Sequence, residues 1–127
     1  MKKLLFIFFI GFVFSSFTLF QSDTDEIVKG LKTGNAEQVA TYFDGFIDLT
    51  LPQKDEIKSI GKNQAGIALK SFFEENGVNN FAITSQRESG ITMYIAGKLQ
   101  SKNRPFNITL LLKNKDGNHL ITSVRIN

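Results

Sequence analysis

The alternation of apolar and polar residues is most regular in the last third of the chain. From Phe106 to Leu112 the even positions Phe106, Ile108, Leu110 and Leu112 fall on one face of an extended strand, with Asn107, Thr109 and Leu111 on the other. Leu120, Thr122, Val124 and Ile126 repeat the pattern, opposite Ile121, Ser123, Arg125 and Asn127. Asp116-Gly117-Asn118 separates the two runs, and Asp-Gly supplies the positive φ angles of a tight hairpin. Upstream, Ile91, Met93, Ile95 and Leu99 alternate with Thr92, Tyr94, Lys98 and Gln100, and Ser101 to Arg104 forms a polar connection. Phe81 to Arg87 makes an earlier strand, closed by Glu88-Ser89-Gly90. Asn80 to Asn127 is therefore predicted to be a four-stranded antiparallel meander.

Before Asn80 the period lengthens to that of helices. Ser22 to Asp25 offers N-cap residues with acids in the first turn, where the helix dipole favours them, and Ile27, Val28 and Leu31 give an apolar edge. Lys32 and Gly34 mark its end. Asn35 caps a second short helix with Gln38 at its third position; Val39, Ala40 and Phe43 are its buried face and Asp44-Gly45 its stop. Phe46 to Leu51 alternates as a half-buried strand ended by Pro52, whereas Lys54 to Ile60 fits either a second strand or a turn of helix. Ala65, Ala68, Leu69, Phe72 and Phe73 fall at i, i+3, i+4, i+7 and i+8, so a third helix lays one apolar face on the sheet and stops at Gly77.

The N-terminus changes how composition is read. Met1-Lys2-Lys3, an apolar run from Leu4 to Phe14 and Ser15-Ser16-Phe17-Thr18 have the layout of a secretory signal peptide, assigned to residues 1–20, with one domain over 21–127. Retention of Leu4 to Phe20 as a membrane anchor is the alternative, and the leader is then the only contact with the membrane. Seven of the thirteen phenylalanines lie in those first twenty positions, so the domain itself is aromatically ordinary. Of 15 basic residues, Lys2 and Lys3 belong to the leader, which leaves 13 against 12 acids. A nearly neutral domain with scattered charges does not point to nucleic acid. The chain has no cysteine, which excludes disulfides and cysteine-linked lipid.

The order helix, helix, strand, possible strand, helix and four antiparallel strands resembles the nuclear transport factor 2-like superfamily. Within it the chain resembles a secreted bacterial domain-of-unknown-function family. Gly34-Asn35, Tyr42-Phe43, Asp48-Leu49-Thr50-Leu51-Pro52, Gln64-Ala65, Phe72-Phe73, Ile95-Ala96-Gly97-Lys98-Leu99 and Val124-Arg125-Ile126 carry the resemblance. It implies an α+β fold: a cone in which three helices from the N-terminal half pack on a curved antiparallel sheet. These are packing and turn residues, so the resemblance speaks to fold and not to activity. Ketosteroid isomerase shares the architecture, as do proteins with no catalysis.

No catalytic constellation emerges from the residues. An isomerase or lyase needs a carboxylate base and a phenol or acid donor converging in a dry cavity. Asp44 or Asp48 with Tyr42 or Tyr94 are the residues available, but Asp44 reads as a helix stop and Asp48 as a solvent-facing strand residue. His119, the only histidine, has no cysteine or carboxylate cluster with which to build a metal site, and reads as a solvated turn residue. Nucleophile elbows and glycine-rich phosphate loops are absent, and no cofactor is expected. The reading favoured is an exported non-enzymatic binding module for a small apolar ligand or a protein partner, with Tyr42, Phe43, Phe73, Tyr94 and Arg125 as candidate pocket residues. An envelope assembly protein, dimeric through an apolar sheet patch around Leu111 and Ile121, is the second reading. The small lyase or isomerase is the third.

Overall fold

The computed structural model describes residues 22–127, and the expected signal peptide lies outside the described residues. Ser22 accepts the Asp25 N–H through its hydroxyl at 3.2 Å and starts helix α1, Asp23–Lys32, with three acids in the first turn. Asn35 does the same for Gln38 at 3.1 Å and starts α2, Ala36–Ala40. This second helix ends earlier than its apolar pattern predicts. Phe43 is not on its buried face but is the first residue of strand β1, Phe43–Thr50, and Asp44-Gly45 lie inside that strand. Tertiary pairing decides the matter: the Ile121 N–H donates to the Tyr42 carbonyl at 2.7 Å and draws Tyr42-Phe43 into the sheet.

Lys54 to Ile60 resolves as a loop and strand β2, Ile57–Gly61. Helix α3, Lys62–Asn76, follows as the apolar spacing predicts, with Ala65, Leu69, Phe72 and Phe73 buried and Ala68 partly so. Then come β3, Asn80–Ser89; β4, Thr92–Gln100; β5, Phe106–Lys115; and β6, Asn118–Ile126. Asp116 and Gly117 both take positive φ, 54° and 84°, as the hairpin between β5 and β6 requires.

The six strands form one curved sheet in the order β2-β1-β6-β5-β4-β3. The meander is antiparallel throughout, but β1 returns to lie parallel to β6. All three helices cover one face of the sheet, the α+β cone that the resemblance implies. Met93, Ile95, Leu99, Ile108, Leu110 and Leu112 line that inner face and are at most 5% exposed. Each large apolar side chain buried there stabilises the fold by about 1.5–3 kcal/mol.

Two bulges interrupt the meander, and β1 shifts register against both of its neighbours. Thr84 is the extra residue between the pairs Ile83–Gly97 and Ser85–Ala96, and Thr122 is the extra residue between Leu112–Ile121 and Leu111–Ser123. In both, the threonine hydroxyl donates across the strand pair at 3.2 Å, to the Ala96 carbonyl and the Leu111 carbonyl respectively. The second bulge overturns the strict alternation expected of the last strand. Beyond Thr122 the side chains change face, so Ile121 is fully buried on the inner side, whereas Leu111 of β5 stays on the outer face, partly buried. Ile121 therefore takes no part in the apolar outer patch expected around these two residues. In β4, a Cβ on Gly97 would stand 2.3 Å from the Ala82 carbonyl oxygen and 2.4 Å from the Phe81 ring, so only glycine lets that ring lie across the strand. Among the described residues, no helix is long and apolar enough to cross a membrane.

Candidate functional site

The first two turns of α1 cross the sheet beside the bulge of β3 and leave a cleft of about 730 Å³ between them. Val28 from α1, Ile83 from β3 and Met93 from β4 give it an apolar floor. Ile83 is 43% exposed there. Thr24, the one buried polar residue among those described, points its hydroxyl at the Met93 sulfur, 3.5 Å away, and fixes the helix to that floor. The rim is polar: Lys29 and Lys32 come from α1, Gln86 and Glu88 from β3, and His119 from the start of β6.

His119 is held in place from a distant part of the chain. Its backbone N–H donates to Asp23 Oδ2 at 3.0 Å, which anchors the second residue of β6, just after the hairpin, to the start of α1. The imidazole Nε2 then lies 3.6 Å from Glu88 Oε1, with the histidine side chain 22% exposed. An apolar floor beside one imidazole, the two carboxylates of Asp25 and Glu88 and two ammonium groups suits an apolar body with a polar end facing the rim. Among the described residues no cluster of three or more His, Cys, Asp or Glu could hold a metal ion.

The five candidate pocket residues lie in different layers of the fold. Phe43 and Phe73 are 2% and 3% exposed and fill the core. Tyr94 lies on the outer sheet face, opposite Arg87 on one side and Leu111 on the other. Arg125 is exposed on the same face, its guanidinium 4.0 Å from Glu56 Oε2. Tyr42 is half-buried between α2 and β1; burial, and then the Asp23 and Glu26 carboxylates, push its phenol above the ordinary range. The structure thus does not bring these five together. Local alternation places a residue on a face, but the helices decide which stretch of that face stays open.

The carboxylates considered for enolate chemistry are engaged elsewhere. Asp44 pairs with Lys115 and accepts the Gly45 N–H; the Lys115 contact, then that N–H, hold its carboxyl below the usual carboxylate range. Asp48 accepts the Ser59 N–H at 2.9 Å, where Ser59 turns through a positive φ of 54°. His119, by contrast, is a site residue that a local reading misses. The contact that places it spans 96 residues, and no local pattern encodes it.

The family described as domain of unknown function (DUF4783) matches residues 24–127. A DUF4783 family protein from Bacteroides ovatus has a similar structure, with a TM-score of 0.75 at 24% identity over 80% of this chain and 90% of that one. A DUF4783 family protein from Bacteroides uniformis gives 0.75 at 20% identity, over 81% and 94% of the two chains. An NTF2-like protein of unknown function from Cytophaga hutchinsonii gives 0.58 at 13% identity, over 86% and 92%. At these identities the likeness is one of fold, and that fold is nuclear transport factor 2-like. No curated protein matches the chain. With a match that spans all but two of the described residues (22–127 against 24–127), the chain belongs to the DUF4783 family, a domain of unknown function with a nuclear transport factor 2-like fold.

Proposed function

We propose that this protein is an exported, non-enzymatic binding module that holds a small apolar ligand in the cleft between α1 and β3. The observation that carries this reading is the apolar floor of the cleft, where Ile83 stands exposed beside partly buried Val28 and the buried Met93. Export is supported by the basic start and apolar run of Met1 to Phe14. A binding role without catalysis is supported by Asp44 and Asp48, whose carboxylates are spent on a lysine and on backbone N–H groups.

The test uses Nile red, a neutral apolar dye, and the Ile83→Lys variant. Ile83 is exposed, so the substitution leaves folding intact while placing an ammonium in the floor. Dye fluorescence should rise with the unaltered protein, and affinity should fall by about tenfold or more in the variant, the equivalent of about 1.4 kcal/mol. Absence of dye binding, or equal binding by both proteins, would sink the proposal.

A further inference from the structure

At the opposite end of the sheet a second cleft, of about 430 Å³, lies between the β1–β2 loop, the last turns of α3 and the loop that enters β5. Phe72 and Phe106 form its apolar wall, edge to face at 5.1 Å and 74°, and are 7% and 5% exposed. Leu51 and Pro52 bring apolar surface from the β1–β2 loop. The Arg104 guanidinium stands over the Phe106 ring, 4.2 Å from its centroid. An arginine stacked in this way keeps its N–H edge available while its side chain loses freedom in advance of binding.

The loop that carries Arg104 is fixed as well. Ser101 Oγ donates to the Arg104 carbonyl at 2.6 Å and accepts the N–H groups of Asn103 and Arg104 at 3.3 and 3.2 Å. The Lys102 N–H donates to the Asn76 carbonyl at 3.1 Å and ties the loop to the end of α3. Lys54 brings a second cation from the β1–β2 loop. Among the described residues neither Arg104 nor Lys54 has an ion-pair partner; the cations that do are Lys70, Lys115, His119 and Arg125. Glu75 is the one carboxylate that lines the cleft, so two cations face a single acid there.

The geometry points to a binding site here for an apolar monocarboxylate, with its carboxylate on Arg104 and Lys54 and its apolar body against Phe72, Phe106 and Pro52. A guanidinium offers two parallel N–H donors that match the two oxygens of a carboxylate. Glu75 limits the charge that fits, because a dianion would meet a like charge on the α3 side. The site is separate from the cleft under α1 and does not depend on the reading of that cleft.

The test compares 4-phenylbutyrate with 4-phenylbutanol, which carries the same body without the charge, in calorimetric titrations of the full chain with amide NMR to locate binding. The acid should bind about tenfold more tightly than the alcohol or better, as a charge-assisted contact requires, and should shift the amides of Ser101 to Arg104, Phe106 and Gln53-Lys54. Arg104→Gln, at an exposed position, should abolish that preference, bringing acid affinity down to that of the alcohol. Equal affinity for acid and alcohol would overturn the proposal, as would a preference that survives Arg104→Gln. Shifts confined to Thr24, Ile83 and His119 would overturn it too, by assigning the acid to the other cleft.

Discussion

At one end of the sheet α3 buries Phe72 and Phe73 almost completely, with Phe72 edge-on to Phe106 of β5. At the other, α1 and the strand ends are joined by polar contacts: Asp23 to the His119 N–H, Thr24 to the Met93 sulfur, and Asp44 to Lys115. Burying one aromatic side chain contributes about 1.5–3 kcal/mol, whereas a hydrogen bond contributes about 0.5–1.5 kcal/mol net. The two clefts inherit this difference. The one beside Phe72 and Phe106 is walled by an aromatic pair, while the one under α1 is bounded by a helix that Ile27 and Leu31 bury in the core and that polar contacts tie at its first turn. The proposed apolar ligand therefore meets a wall fixed partly by polar contacts, and the proposed carboxylate meets an aromatic one.

The sharpest test of this contrast is Phe73→Ala, which should cost about 3–5 kcal/mol in denaturant unfolding, because a cavity opens under α3. A smaller loss would mean that the α3 end is not the clamp of the fold. Gly97→Ala comes next. Its new methyl meets the Ala82 carbonyl and the Phe81 ring, so it should destabilise by about 1–3 kcal/mol, and a crystal structure should show the Phe81 ring displaced. Asn35→Ala removes the cap of a five-residue helix and should cost about 1 kcal/mol. If Asn35→Ala proved as costly as Phe73→Ala, a single capping hydrogen bond would rank with burial of an aromatic ring.

The same division governs what the residues alone could reveal. The even positions of Phe106 to Leu112, the Asp116-Gly117 turn and the spacing of Ala65 to Phe73 were legible because each is a local periodicity or a backbone demand. The bulge at Thr122 was not, since alternation contains no signal for an inserted residue and Leu120-Ile121 reads as strand in either register. Phe43 looked helical for a similar reason: its spacing from Val39 and Ala40 suits a helix, and only the pairing of the β1 start with β6 overrides it. Both clefts escaped local reading. Arg104 lies in a stretch that reads only as a polar connection, and its place on Phe106 depends on the Ser101 turn. His119 depends on Asp23, which no window joins to it.

Acid should act on one end of the molecule and spare the other. The Lys115 contact, reinforced by the Gly45 N–H, holds the folded-state pKa of Asp44 below its unfolded value. The pair therefore contributes its full stability above the unfolded carboxylate pKa of about 3.9, and that contribution is lost as pH falls through the lower folded value. The Lys115 side chain is 50% exposed and that of Asp44 25%, so solvent screening limits the gain to about 0.2–1 kcal/mol. Asp44→Asn should accordingly lower stability by this amount at pH 7, and the gap between variant and unaltered protein should close as the pH is taken towards 2. Amide exchange at Lys115 to His119 should rise over the same interval, while that of Leu69, Phe72 and Phe73, whose side chains lie in the apolar core, should not follow. A gap that persists in strong acid would mean that Asp44 acts through its shape and not its charge. The polar ties at the α1 end would then be as indifferent to pH as the aromatic clamp opposite.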